Sequence, residues 1–274
     1  MSGAGGRGEL YERQMALLGE FLARGAITRG QYEKSAGVLK EKFAAGPGGS
    51  GEDKRLSKQL AFILEADRLK EITRQTWLAD GSRKENDAEH SWHLALMAML
   101  LCEYSGGADM LRVMKMVLVH DMVEIEAGDT YAYDYAGQST AHEREAKAAK
   151  KLFGMLPEDQ AAQLTGLWEE FEQRQSAEAK FAHSLDNFQP MLLNDASGGK
   201  GWHEHGVRLG DVMRRNASTA EGSEKLWEYM SALIERNVAC GNLIDDRPHG
   251  GTPHDDKPHG GAPYTDKPLQ GENG

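Results

Sequence analysis

Cysteine is scarce: only Cys102 and Cys240 occur in 274 residues. Two cysteines so far apart cannot build a disulfide framework, and neither stands in a CxxC pair. The fold must therefore hold by packing, and a reducing, cytoplasmic setting is expected. Long apolar runs are missing as well. The longest candidate, 110–125, is broken by Arg112, Lys115, His120, Asp121 and Glu124, short of the ~20 residues that a bilayer span needs. The first ten residues are Gly-rich and polar, without the apolar core of a signal peptide. No run of Lys and Arg offsets the net charge of −11. That excludes a nucleic-acid-coating surface and binding to an anionic membrane. A phosphate-bearing ligand would need a local positive centre, either a metal or a few basic side chains. Sustained period-two alternation is also absent, so the fold is expected to be all-α.

Three zones differ in composition. Residues 1–52 carry two amphipathic stretches and end in a Gly-rich linker at 46–51. Leu10, Leu17, Leu18, Phe21 and Leu22 recur at helical spacing. Thr28 with Gln31 marks a second helix start by the capping-box pattern, and Tyr32, Leu39 and Phe43 line that helix. The turn Gly25-Ala26-Ile27-Thr28 followed by Tyr32 resembles short helical hairpins appended to many bacterial proteins, which implies association. Two such helices are too short to stand alone and must dock, on a partner or back on their own domain across the 46–51 linker; a homodimer or higher assembly is expected.

Residues 245–274 form a ten-residue repeat: Asp246-Arg247-Pro248-His249, Asp256-Lys257-Pro258-His259 and Asp266-Lys267-Pro268-Leu269. Pro, Gly and charge dominate, so a disordered tail is expected. Its His249, His254 and His259 offer at most a weak metal contact.

Residues 53–244 are the working domain and read as successive helices. Leu56, Leu60 and Ile63 mark the first; 87–103 and 109–125 are the second and third. Thr140 with Glu143 opens a fourth. Pro157 starts a fifth, lined by Leu164, Leu167, Trp168 and Phe171. Ser176 caps a sixth with Phe181, Leu185, Phe188 and Leu192. Leu226, Met230 and Leu233 line a last helix, closed by Gly241.

The third helix is apolar almost all round and so is expected to be buried, yet it ends in His120, Asp121 and Glu124. Burying such groups is costly unless each is paired or bound to a metal. The second helix adds His90 on a similarly apolar stretch, and Asp186 lies beside the apolar face of the sixth. Two imidazoles and two carboxylates suit one divalent transition metal (Mn, Co, Fe, Ni or Zn) better than calcium.

The strings Glu85-Asn86-Asp87-Ala88-Glu89-His90-Ser91 and, thirty residues later, His120-Asp121-Met122-Val123-Glu124-Ile125-Glu126-Ala127-Gly128-Asp129-Thr130 carry the pattern ExxxEHS…HDxxExxxGDT. It resembles the HD-domain phosphohydrolases, in particular the branch of YfbR-type 5′-deoxynucleotidases and their eukaryotic HD-domain-containing relatives. The resemblance runs from about 54 to 243. It implies a helical metal-dependent hydrolase of nucleoside 5′-monophosphates. The metal ligands would be His90, His120, Asp121 and Asp186, with Asp195, in an expected loop, as the alternative to the last. Glu124 and Asp129 would be the acid/base groups, and Arg74 and Thr130 substrate contacts. Gln75 stands where the branch has a Trp beside that Arg, which bears on sugar preference, with Trp77 the nearest substitute. His93, three residues after His90, is a further ligand candidate, and His142, His183, His203 and His205 are candidates for the rim. Tyr131, Tyr133 and Tyr135 are read as either a lid or packing.

Rival functions are an HD phosphodiesterase, a di-iron oxygenase and a non-catalytic scaffold. One ligand set rather than two disfavours the diesterase and oxygenase, and acids at every matched position disfavour the scaffold.

Overall fold

The computed structural model describes residues 5–44, 51–133 and 135–247. The linker residues 46–50, the tail from 248 onward and the side chain of Tyr135 lie outside the described residues. An N-terminal hairpin pairs α1 (Gly5–Ala23) with α2 (Arg29–Ala44). Its turn is closed reciprocally: Thr28 N donates to Gln31 Oε1 at 2.8 Å, and Gln31 N donates to Thr28 Oγ1 at 3.3 Å. Tyr11 packs on Phe43 across the pair, ring centroids 5.2 Å apart.

The remainder is helical, as the sequence implies, apart from one short ribbon. After α3 (Gly51–Ala66), strands β1 (Thr73–Trp77) and β2 (Lys84–Asn86) pair antiparallel, Thr73 opposite Asn86 and Trp77 opposite Lys84. Strands this short give no periodic signal, which is why the sequence did not disclose them. The ribbon's last residue, Asn86, is also the N-cap of α4 (Asp87–Leu100). Glu89 N donates to Asn86 Oδ1 at 2.9 Å, and Asn86 N donates to Glu89 Oε2 at 3.1 Å.

Then follow α5 (Met110–Val119), a 3-10 turn (His120–Val123) and α6 (Glu124–Ala127). The sequence predicts one helix over this span. Instead, the winding tightens where His120, Asp121 and Glu124 place polar side chains inside apolar surroundings. Next come α7 (Tyr135–Phe153), α8 (Glu158–Gln173), α9 (Ala177–Ala196), α10 (Lys200–His205), α11 (Leu209–Asn216), α12 (Thr219–Gly222) and α13 (Glu224–Ala239). Helix α7 starts before the expected cap at Thr140, and Glu143 pairs forward with Lys147 at 2.7 Å. The caps at Ser176 and Gly241 are where the sequence places them: Ser176 Oγ accepts from Ala179 N at 3.1 Å, and Gly241 takes φ +77°.

Helix α9 is the axis of the domain. Phe181, Leu185, Phe188 and Met191 are buried against α4, α5, α8, α12 and α13. Gly222 lets α12 lie directly on α9, since a Cβ there would stand 2.2 Å from Lys180 O. A second apolar cluster joins Phe62 of α3 to Leu152 and Phe153 of α7, and takes in Val119, Met122, Val123 and Ile125. The chain therefore passes from one cluster to the other at the end of α5, between Val117 and Val119, just before the 3-10 turn. The apolar row Leu56, Leu60 and Ile63 faces outward, with Ile63 61% exposed, and Phe62 is the residue turned inward. The described C-terminal residues return to the domain: Ile244 bridges Arg208 in parallel, and Gly210 N donates to Asp246 Oδ1 at 3.0 Å. Among the described residues no helix is long and apolar enough to cross a membrane.

Candidate metal centre and active-site cleft

Three elements bring four ionisable side chains to one point. His90 comes from the first turn of α4, His120 and Asp121 from the 3-10 turn, and Asp186 from the middle of α9. His90 Nε2 stands 3.1 Å from Asp186 Oδ1 and 3.9 Å from Asp121 Oδ2. His120 Nε2 stands 3.1 Å from Asp121 Oδ1 and 3.7 Å from Asp186 Oδ1. Pro190, one turn after Asp186 inside α9, has no N–H to offer the Asp186 carbonyl.

The opposite edges of both imidazoles are fixed. His120 Nδ1 lies 2.9 Å from Val117 O, so that nitrogen carries the proton. His90 Nδ1 faces Gln189 Oε1 at 3.0 Å, because the Gln189 amide nitrogen donates to Glu85 Oε1 at 2.7 Å. A carboxylate only accepts, so the amide oxygen must point to His90 and the proton must sit on His90 Nδ1. Both Nε2 atoms then present lone pairs towards two carboxylates. His120 Nε2 is buried and lacks a hydrogen-bond partner. Four electron-rich groups converging in the interior are mutually repulsive without a cation among them, and their donor set fits a divalent transition metal.

The electrostatics agree. Burial opposes a charge on His120, but Asp121 and Asp186 outweigh it and push its pKa up to about 10. Burial would raise Asp186, yet the two histidines hold it well below the usual carboxylate range. Asp121 is lowered against burial by His120 and Arg74. Without a metal, protons on the imidazoles would balance these carboxylates.

A cleft of about 260 Å³ opens beside the cluster. Glu124 and Asp129 both line it, as do Arg74 and Thr130. Burial, followed by the charges of Asp121, Asp87 and Asp129, holds Glu124 well above the usual carboxylate range. Burial also raises Asp129, against the pull of Arg74. Arg74 donates Nη1 to Asp121 Oδ2 at 2.6 Å and to Asp87 Oδ1 at 3.0 Å. Thr130 Oγ1 accepts from Arg144 Nη2 at 2.8 Å.

Other candidates fall outside the cluster. Asp195 is in the last turn of α9, not a loop, and is held by Arg236 and Asn237, each at 2.7 Å. His93 Nδ1 is 3.2 Å from Gln189 Nε2, one step behind His90. His142 and His183 line the cleft; His203 meets Asn242, and His205 meets Tyr131 in a tilted ring contact, centroids 4.5 Å apart. Tyr131 and Tyr133 contact each other edge-on in the cleft wall. Gln75 lines the cleft, whereas the Trp77 indole turns to Glu204 at 2.9 Å beneath the Lys200 ammonium. Sequence reasoning missed Asp87, Glu85 and Gln189, all buried. The first two lie within the quoted ExxxEHS string, but Gln189 has no motif to mark it.

The family profile described as HD domain matches residues 66–227. A human protein named 5′-deoxynucleotidase HDDC2 is 36% identical over 134 residues, which are 48% of this chain and 65% of that protein. The chain thus spans just under two thirds of the human relative. The mouse protein of the same name is 32% identical, with 60% of this chain and 92% of that protein aligned. A crystal structure from Magnetospirillum magnetotacticum, described as a predicted metal-dependent phosphohydrolase, has a TM-score of 0.69 and 47% identity, covering 71% of this chain and 98% of that one.

Proposed function

From the premise that this chain belongs to the HD-domain family, we propose that it is a metal-dependent phosphomonoesterase acting on nucleoside 5′-monophosphates. The observation that carries this reading is the convergence of two imidazole lone pairs and two carboxylates beside an acid-lined cleft. The names of the human and mouse relatives support the nucleotide as substrate, and that of the bacterial structure supports the phosphohydrolase class.

His90, His120, Asp121 and Asp186 would hold one divalent ion. When bound, such an ion lowers the pKa of water and neutralises phosphate charge. Arg74, kept rigid by Asp87 and Asp121, and Thr130 flank the phosphate. Of Glu124 and Asp129, one accepts the proton of the attacking water as its oxygen bonds to phosphorus. The other protonates the leaving alcohol as the ester P–O bond breaks. Burial and the neighbouring carboxylates hold the Glu124 pKa above the usual carboxylate range, which favours it for the donor role.

The test is a screen of the purified chain, loaded with Mn²⁺ or Co²⁺, against nucleoside monophosphates, sugar phosphates and diesters. Turnover of 5′-monophosphates with about one ion per chain is expected; turnover confined to diesters, with two ions, would point to the rival hydrolase. His120→Ala and Asp121→Ala should lose metal and activity together, and full metal retention in both would reject the ligand set.

A cytoplasmic homodimer or larger assembly completes the reading. The outward row of α3 and the exposed Leu10, Leu17 and Val38 of the hairpin support self-association. Light scattering on the full chain and on a chain starting at Asp53 would separate a hairpin interface from one on the helical domain, and two monomers would end the idea.

A further inference from the structure

The cleft has more negative than positive charge to offer a phosphate. Asp121, Glu124, Asp129 and Asp186 border it, and the Arg74 guanidinium is already balanced by Asp121 and Asp87. Thr130 is engaged by Arg144. Two further arginines, Arg174 and Arg215, line the cleft, and of these Arg215 approaches from the Asp186 side. Arg215, in the last turn of α11, lines the cleft, and its Nη2 stands 3.8 Å from Asp186 Oδ2, beyond hydrogen-bond reach. Its side chain is 36% exposed, so it runs from the surface to the cluster's edge. Arg214 beside it is 65% exposed, 3.4 Å from Asp211, and does not line the cleft.

The backbone under Arg215 is fixed. Leu209 and Val212 are buried in the core. Asn216 is buried, and its Nδ2 donates to Val212 O at 2.8 Å, locking the last turn. Leu209 N donates to Ile244 O at 2.9 Å. A guanidinium held this way presents several N–H donors in a planar fork, the geometry that suits phosphate oxygens.

We propose that Arg215 is a phosphate-binding residue of the cleft, its guanidinium donating to phosphate oxygens from the Asp186 side while Arg74 holds Asp121 in place. This rests on the phosphohydrolase reading. It assigns Arg215 to substrate and not to the acid/base steps, so its loss acts on KM more than on kcat.

The test uses the full chain loaded with Mn²⁺ and inorganic phosphate as the probe, with binding measured by calorimetry and metal by elemental analysis. R215A should keep its metal and bind phosphate on the order of tenfold to a hundredfold more weakly, the range for hydrogen bonds to a charged group. R215K should recover part of the loss, and R214A should bind like the parent chain. Unchanged phosphate affinity in R215A would overturn the assignment. So would metal loss in R215A, which would make Arg215 a prop for Asp186, or an equal loss in R214A, which would make the effect a general field. If the parent holoprotein binds no phosphate and hydrolyses no monoester, the phosphohydrolase reading itself fails and carries this proposal with it. A parent that turns over substrate beside an unaffected R215A fails the proposal alone.

Discussion

His90 shows how a buried side chain is set by what stands behind it. Gln189 relays between Glu85 and His90, and all three are buried. Replacing Gln189 by Leu would strand the Glu85 carboxylate and free His90 to take the wrong tautomer. Metal affinity should fall roughly 10- to 100-fold, with about 1–3 kcal/mol of stability lost, as read by metal titration and urea unfolding. Glu124→Ala should instead keep its metal and lose kcat by roughly 10²-fold or more; near-normal kcat at saturating substrate would remove Glu124 from the chemistry. His183 makes a prediction about pH. Burial, aided by Arg174, lowers its pKa from 6.5 to about 3, and its Nε2 lies 2.9 Å from Phe171 O. The folded state therefore keeps the ring neutral while the unfolded chain binds a proton below 6.5. The stability this contributes is complete above that value and drains away as pH falls toward about 3. The gap in urea midpoint between the parent and His183→Asn should narrow from pH 7 to pH 4, and a constant gap would mean that His183 titrates normally. The four converging side chains were legible in the sequence because motif spacing and apolar flanks mark them. Gln189 and Arg215 were not, since each acquires its position only through packing between distant segments.

Elements with strong local signals are found close to where the sequence puts them. Caps at Thr28, Ser176 and Gly241 are decided within one turn of chain, and their side chains bond as their types dictate. Signals that depend on neighbours fare worse. Thr140 and Glu143 have the cap pattern, but Lys147 takes the Glu143 carboxylate and the helix runs through. The break at His120 could not be seen either, because an apolar run carries no mark of a change from one winding to another. On α3, too, helical spacing identifies a stripe, but only the position of Phe153 decides that Phe62 is the residue that goes in. The inward residue should accordingly matter more. Phe62→Ala should cost about 3–5 kcal/mol in unfolding measurements. Ile63→Ala, at 61% exposure, should stay within about 0.5 kcal/mol in the isolated chain, and comparable losses would mean that the outward row is covered in solution.

On the scale of the whole molecule, the helical domain encloses the cluster between two apolar bodies, and residues 244–246 fold back onto the start of α11. That return segment, Ile244 on Arg208 and Asp246 on Gly210, lies where composition alone predicts the start of a solvated repeat. Composition is an average over many residues and cannot register two that dock. The position at which the chain is cut therefore matters more than the length removed. A stop after Arg247 discards residues 248–274 and leaves α11 fastened, whereas a stop after Asn242 removes five further residues, and both ties with them. Melting temperature and phosphate turnover should be unchanged in the first and lowered in the second, and equal behaviour would show that the return segment bears no weight. In engineering language, Arg247 is the last safe seam. A reporter or purification tag sewn on there should leave both ties intact, while one sewn on five residues earlier unbuttons the helix that carries Arg215.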